Sequence, residues 1–164
     1  MTPVEDERSE RERAIGRCMA DLQAAIDADD QALADHLGIG RTDLRCLDTV
    51  FRRGPQPVRQ LARILGLTPG SVTTMTDRLV AAGYVHRVPD PTHGRRVLVT
   101  PTSRAVEIVT ELFEDRVAEA HTALERFDDA QLAAIHEFLA QSVARHETSA
   151  TELRSRAPLR PPDN

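Results

Sequence analysis

The sequence predicts a mainly α-helical chain with one small β-hairpin, and three observations carry that reading. Two short segments with helical apolar spacing, 58–65 and 69–82, are separated by a tight break. Two β-prone runs flank a turn-rich tip between Val88 and Arg96. Longer stripes of apolar residues at helical spacing lie on either side of this middle region.

Each element follows from its own residues. From Glu5 to about Ala28, the residues Ile15, Cys18, Met19, Leu22, Ala25 and Ile26 share one helical face, predicting an N-terminal helix. Residues 1–8 are charge-dense and are expected to fray. Val58, Leu61, Ala62 and Leu65 repeat at helical spacing until Gly66 breaks the run. Thr68 is then the expected N-cap of a second helix, with Pro69 at its first position. Val72, Met75, Leu79 and Ala82 make the buried stripe of that helix. Its other face carries Gly70, Ser71, Thr73, Thr74, Asp77 and Arg78, all small or polar. The hairpin tip contains Pro89, Asp90, Pro91 and Gly94, the residues that turns require. Pro101 and Thr102 open a long helix expected to reach Phe127, with a stripe of Val106, Val109, Leu112, Phe113, Val117, Ala120, Leu124 and Phe127. Asp128, with Gln131 three residues on, reads as a capping box before Leu132, Ile135, Leu139 and Val143. Pro158, Pro161 and Pro162 leave 154–164 as an expected disordered tail. Helix, tight turn, helix and hairpin together form the winged helix-turn-helix pattern, here flanked by terminal helices within one structural domain.

Charge adds function to this pattern. From Arg52 to Arg104 there are nine arginines against two acids, Asp77 and Asp90, a net +7 in a chain that carries −5, so the remainder carries −12. A basic segment inside an acidic protein is the footprint of a phosphate-binding surface. Every basic residue is Arg, which suits phosphate contacts and insertion into a minor groove. The polar face of the second helix fits a major groove, where hydroxyls reach phosphates or base edges. Double-stranded DNA is the expected partner.

Other function classes find little support. The charged N-terminus lacks a signal peptide's apolar core, and no run approaches the length of a membrane span, so a cytoplasmic protein is expected. Two cysteines make no disulfide framework. The six histidines form no ligand pair at i+3 or i+4 beside a third ligand, so neither metal nor cofactor is expected. No nucleophile with its base, glycine-rich phosphate loop or paired carboxylates points to an enzyme.

Three stretches, LARILGLTPGSVTTMTDRL, AAGYVHR and DPTHGRRVLVTPT, occur in that order without large gaps, and the segment closely resembles the MarR family of winged-helix transcriptional regulators. The similarity extends back to LGIGRTDLRCLDTVF (37–51), which looks like the helix bracing the reading unit. The resemblance implies a homodimeric regulator, expected to repress, on a pseudo-palindromic operator. It implies a dimerisation helix in 1–36, the DNA-binding unit in 37–104 and further dimerisation helices in 105–153. It places His93, Gly94, Arg95 and Arg96 in a DNA-contacting wing. It also implies a small aromatic or anionic effector, in a cleft for which His36, Arg41, Arg45 and Cys46 are the candidates by position.

Two residues depart from the family pattern. His93 stands where many members have an Asp that orients the wing-tip Arg, so the wing needs another acid, Asp90 being a candidate. Thr74 stands where an Arg is common, and Thr cannot bridge a guanine with two hydrogen bonds, which shifts readout toward Arg78, Arg95 and DNA shape. Two alternatives stay open. One is a winged-helix adaptor between proteins without DNA binding. The other is a peroxide-sensing repressor built on Cys18, although its place on an apolar stripe suggests a buried, inert thiol.

Overall fold

The computed structural model describes residues 3–94 and 96–156, with the backbone alone for 3–5. Among the described residues nine elements follow in the order α1 (Pro3–Leu37), α2 (Arg41–Arg53), β1 (Gln56–Pro57), α3 (Val58–Leu65), α4 (Pro69–Ala81), β2 (Val85–Pro89), β3 (Val97–Pro101), α5 (Ser103–Leu124) and α6 (Asp129–Ser155). The chain divides into two units, Met1–Thr110 and Glu111–Asn164. The fold is a winged helix-turn-helix with long flanking helices.

In the first unit, local chemistry sets the helix ends. Gly66 takes a left-handed conformation (φ 69, ψ 33) and ends α3, a geometry that costs glycine no steric clash. The Thr68 side chain accepts the Ser71 backbone N–H at 3.2 Å, and Pro69 occupies the first turn of α4. Both expectations are met. α1 begins earlier and ends later than its stripe indicated. Residues 3–8 belong to the helix rather than fraying, and the pairs Arg8–Glu12 and Arg11–Glu7 lie one turn apart along it.

Leu47 and Val50 of α2, Leu61 and Leu65 of α3, Val72, Met75 and Leu79 of α4, Val85 of β2 and Val99 of β3 form one buried cluster. Truncating one of these large side chains to Ala costs about 2–5 kcal/mol. Ala82 does not join them as expected, because it caps the end of α4 and is exposed. Thr76 is buried instead, its hydroxyl donating to the Thr73 carbonyl at 2.9 Å.

The three strands are antiparallel in the order β1-β3-β2. β1 escapes sequence detection because two residues carry no periodicity, and its Pro57 sits on an edge strand, where a missing N–H is tolerated. Tyr84 lies just before β2, and its hydroxyl donates to the Leu37 carbonyl at 2.8 Å, tying the wing's start to the end of α1.

α5 starts where expected, with Thr102 Oγ1 accepting the Ala105 N–H at 3.1 Å. It ends at Leu124, three residues before the expected Phe127. In the second unit, Asp128 and Gln131 form the anticipated capping box, with Asp128 Oδ1 accepting the Gln131 N–H at 2.8 Å and Gln131 Oε1 the Asp128 N–H at 3.0 Å. α6 continues to Ser155 and so takes in the first two residues of the expected tail, while 157–164 lie outside the described residues.

Candidate nucleic-acid interface

The residues expected to meet DNA on α4 are all exposed, yet they divide into two groups. Ser71, Thr74 and Arg78 recur at i, i+3 and i+7, along one line of the helix. Thr73 and Asp77 lie beside it and are engaged by β2. Arg87 donates through Nη1 to Asp77 Oδ1 at 2.6 Å, and through Nη2 to the buried Thr76 hydroxyl at 2.5 Å and to the Thr73 carbonyl at 3.3 Å. Arg87 is therefore the anchor by which β2 holds α4, with Asp77 one of its three partners. Gly70 sits in the first turn, where the absence of a side chain lets another backbone approach. The three hydroxyls are satisfied within the helix: Thr73 and Thr74 donate to the carbonyls of Pro69 and Gly70, and Ser71 shares a hydrogen with Thr68.

Arg78 has a partner that sequence reading missed. Asp43, in the first turn of α2, is buried, and both its oxygens face the guanidinium. Arg78 Nε donates to Oδ2 at 3.0 Å and Nη2 donates to Oδ1. The Asp43 side chain is 5% exposed and that of Arg78 56%, so a buried carboxylate holds the root of a solvent-facing cation. Hydrogen bonding to Asp43 and its charge push the Arg78 pKa up from its ordinary value. The separation of 35 residues hides this pair from any local pattern.

Asp90 closes the wing. Its Oδ1 accepts the Thr92 N–H at 2.8 Å and the Thr92 hydroxyl at 2.7 Å, and His93 Nδ1 lies 3.8 Å from its Oδ2. The Thr92 hydrogen bonds, with the charges of His93 and Arg96, hold the Asp90 carboxyl below its ordinary pKa. Backbone bonds from Asp90 N to the Arg96 carbonyl (2.9 Å) and from Arg96 N to the His93 carbonyl (2.8 Å) complete the turn. Asp90 thus holds the turn of the wing through Thr92, three residues before the family position, while the orientation of Arg95 lies outside the described residues. His93, Gly94 and Arg96 are exposed, while Arg95 lies outside the described residues. At the foot of the wing a groove of about 490 Å³ is lined by Pro57, Val58, Arg59, Arg96 and Val97, bringing Arg59 beside the wing arginine.

The four residues expected around an effector scatter in character. His36 and Arg45 are exposed. Arg41 is occupied by α1, donating to the Asp27 carbonyl at 2.5 Å and lying 3.1 Å from Asp27 Oδ1 and 3.4 Å from Asp30 Oδ2. Cys46 is fully buried in the core, and desolvation first, then the Asp43 charge, pushes its thiol up to about 12. Cys18, expected to be buried, is exposed in the single chain, because Ile15, Leu22 and Ile26 of its stripe are themselves half-exposed. No helix among the described residues is long and apolar enough to cross a membrane.

Comparison with known proteins agrees with this architecture. The sequence model of the MarR family matches residues 39–97. An uncharacterised HTH-type transcriptional regulator of Bacillus subtilis, YcgE, is 31% identical over 135 residues, spanning 82% of this chain and 88% of that protein. The multiple antibiotic resistance protein MarR of Escherichia coli is 32% identical over 84 residues, 51% of this chain and 58% of that protein. Among solved structures, a MarR family protein from Bacillus stearothermophilus superposes with a TM-score of 0.61 at 20% identity, covering 87% of this chain and 97% of that one. A mutant Escherichia coli MarR complexed with operator DNA superposes with a TM-score of 0.52 at 23% identity, covering 79% and 93%.

Proposed function

The chain belongs to the MarR family of transcriptional regulators, and on that premise we propose that it is a homodimeric repressor whose α4 and wing bind operator DNA. Each protomer lays residues 69–82 in a major groove, with Gly70, Ser71, Thr73, Thr74 and Arg78 on the DNA side. The wing, His93 to Arg96, follows the backbone to the adjacent minor groove. The observation that carries this reading is the coincidence of the +7 segment with the exposed face of α4 and a wing closed by Asp90.

The second copy is supported by the flanking helices. Ile15, Leu22 and Ile26 of α1, Val106, Val117 and Leu124 of α5, and Phe138, Leu139, Val143 and Leu153 of α6 are 42–64% exposed. So many large apolar side chains left in water, in each of the two units, fit burial against a partner. A two-fold axis would set two recognition helices about 34–36 Å apart, one turn of DNA.

Gel-shift titration on duplexes selected from genomic fragments tests the proposal. Affinity is expected to fall steeply with salt, as several Arg–phosphate contacts require. Arg95→Ala is expected to weaken binding about tenfold or more. Sedimentation should give twice the chain mass of 18.2 kDa. A folded protein with no duplex affinity at low salt would instead be the adaptor without DNA binding.

A further inference from the structure

We propose that Asp43 is a positioning residue for base readout: it locks one edge of the Arg78 guanidinium so that the other edge reads a guanine in each half-site. The proposal rests on the DNA-binding reading above and specifies its chemistry.

Arginine is planar, with five N–H groups in a fixed fork. Asp43 takes the side-on edge, Nε with one Nη2 hydrogen. The end-on edge, Nη1 with the second Nη2 hydrogen, makes no hydrogen bond among the described residues. That edge is the donor pair that matches guanine O6 and N7 in the major groove. Arg78 lies in line with Ser71 and Thr74 on α4, and its side chain is 56% exposed although its anchor is buried.

The arrangement has a physical rationale. A long side chain free in solvent loses rotamer freedom on binding DNA, whereas one already held loses less. Asp43 also pairs the cation without meeting the DNA itself, because it is buried in the first turn of α2 beneath α4. Neighbouring Thr74 cannot make the two-point contact, so Arg78 is the residue of this line able to choose guanine.

The test is selection of duplexes from a random library, with wild-type protein, Arg78→Ala, Asp43→Asn and Asp43→Glu. Wild type is expected to select one guanine per half-site that Arg78→Ala no longer selects. Asp43→Asn, which loses the carboxylate charge and turns an NH2 donor toward one of the two arginine N–H groups, should relax the same position about tenfold while leaving selection at the other positions unchanged. Asp43→Glu, which keeps both oxygens, should restore part of the preference. Thermal unfolding checks that each variant folds. Should Asp43→Asn fail to fold, wild-type protein is titrated against selected duplex carrying 7-deazaguanine, which pairs normally but lacks N7. A loss of about tenfold at that guanine supports the N7 contact, and a smaller loss with Asp43→Glu than with wild type ties that contact to Asp43. Retained guanine preference in Arg78→Ala or Asp43→Asn overturns it, as does indifference to 7-deazaguanine. Failure to select any duplex would overturn the DNA-binding reading, a result distinct from a selected site in which no guanine depends on Arg78.

Discussion

Removing Arg87 should cost far more stability than removing its ion-pair partner Asp77. The pair is partly solvated, with side chains 32% and 56% exposed, so by itself it contributes only about 0.2–1 kcal/mol. Asp77→Ala should therefore cost about 0.5 kcal/mol. Arg87→Ala also loses the charge-assisted bond to the buried Thr76 hydroxyl, about 1.5 kcal/mol, and the longer bond to the Thr73 carbonyl. Thr76 still donates to Thr73 in that variant, so no buried group is orphaned and the total stays near 2–3 kcal/mol. With a urea slope of about 1–3 kcal/mol per M, the Arg87→Ala midpoint falls by about 1 M and that of Asp77→Ala by a few tenths. Unfolding followed by circular dichroism measures both, at one protein concentration because dimerisation would make the midpoint concentration-dependent. Equal losses in the two variants would refute the reasoning, since β2 would then brace α4 through the ion pair alone.

Burial pushes the Cys46 thiol up to about 12, so the folded protein at pH 8 should protect Cys46 from maleimide until denaturant is added; mass spectrometry locating label on Cys46 before unfolding would contradict this. Because the folded value is raised, the stabilisation from the neutral thiol is complete below the ordinary cysteine value near 8.5 and is lost as pH rises from there toward 12. Asp90 shifts the other way. Its contribution to wing closure should be complete above the ordinary carboxylate value near 3.9 and lost as pH falls through its lower folded value. The Thr92 amide resonance should report that loss in acid, and in Asp90→Ala it should lack the hydrogen-bonded shift at every pH.

Much of this protein was legible in order along the chain. Gly66, Thr68 with Pro69, the Pro89–Gly94 tip and the Asp128 capping box act on neighbours within a few residues, so their chemistry is written locally. The buried stripe of α4 followed from helical spacing alone, except at Ala82, where the helix ends and the spacing no longer applies. The basic segment needed no structure either, since a net charge over 52–104 is a count.

The site's chemistry was less legible. Asp77 and Arg78 are adjacent and read as one polar face, yet the fold assigns them different partners, Arg87 ten residues on and Asp43 thirty-five residues back. His93 pointed to a wing short of an acid, yet Asp90 holds the turn through Thr92 two residues on, a local bond that the family comparison obscured. Cys46 looked available for a cleft, but α2 turns it into the core, while Cys18 lies exposed on α1. The sequence by itself determined most of the helices and the hairpin, their caps and the sign of the reading surface, because those depend on residues in contact along the chain. The two-residue β1 and the exact helix ends were not written there. Tertiary structure alone decided which charges are held and which face outward, because an ion pair depends on distance in space, and packing α2, α4 and β2 together sets those distances.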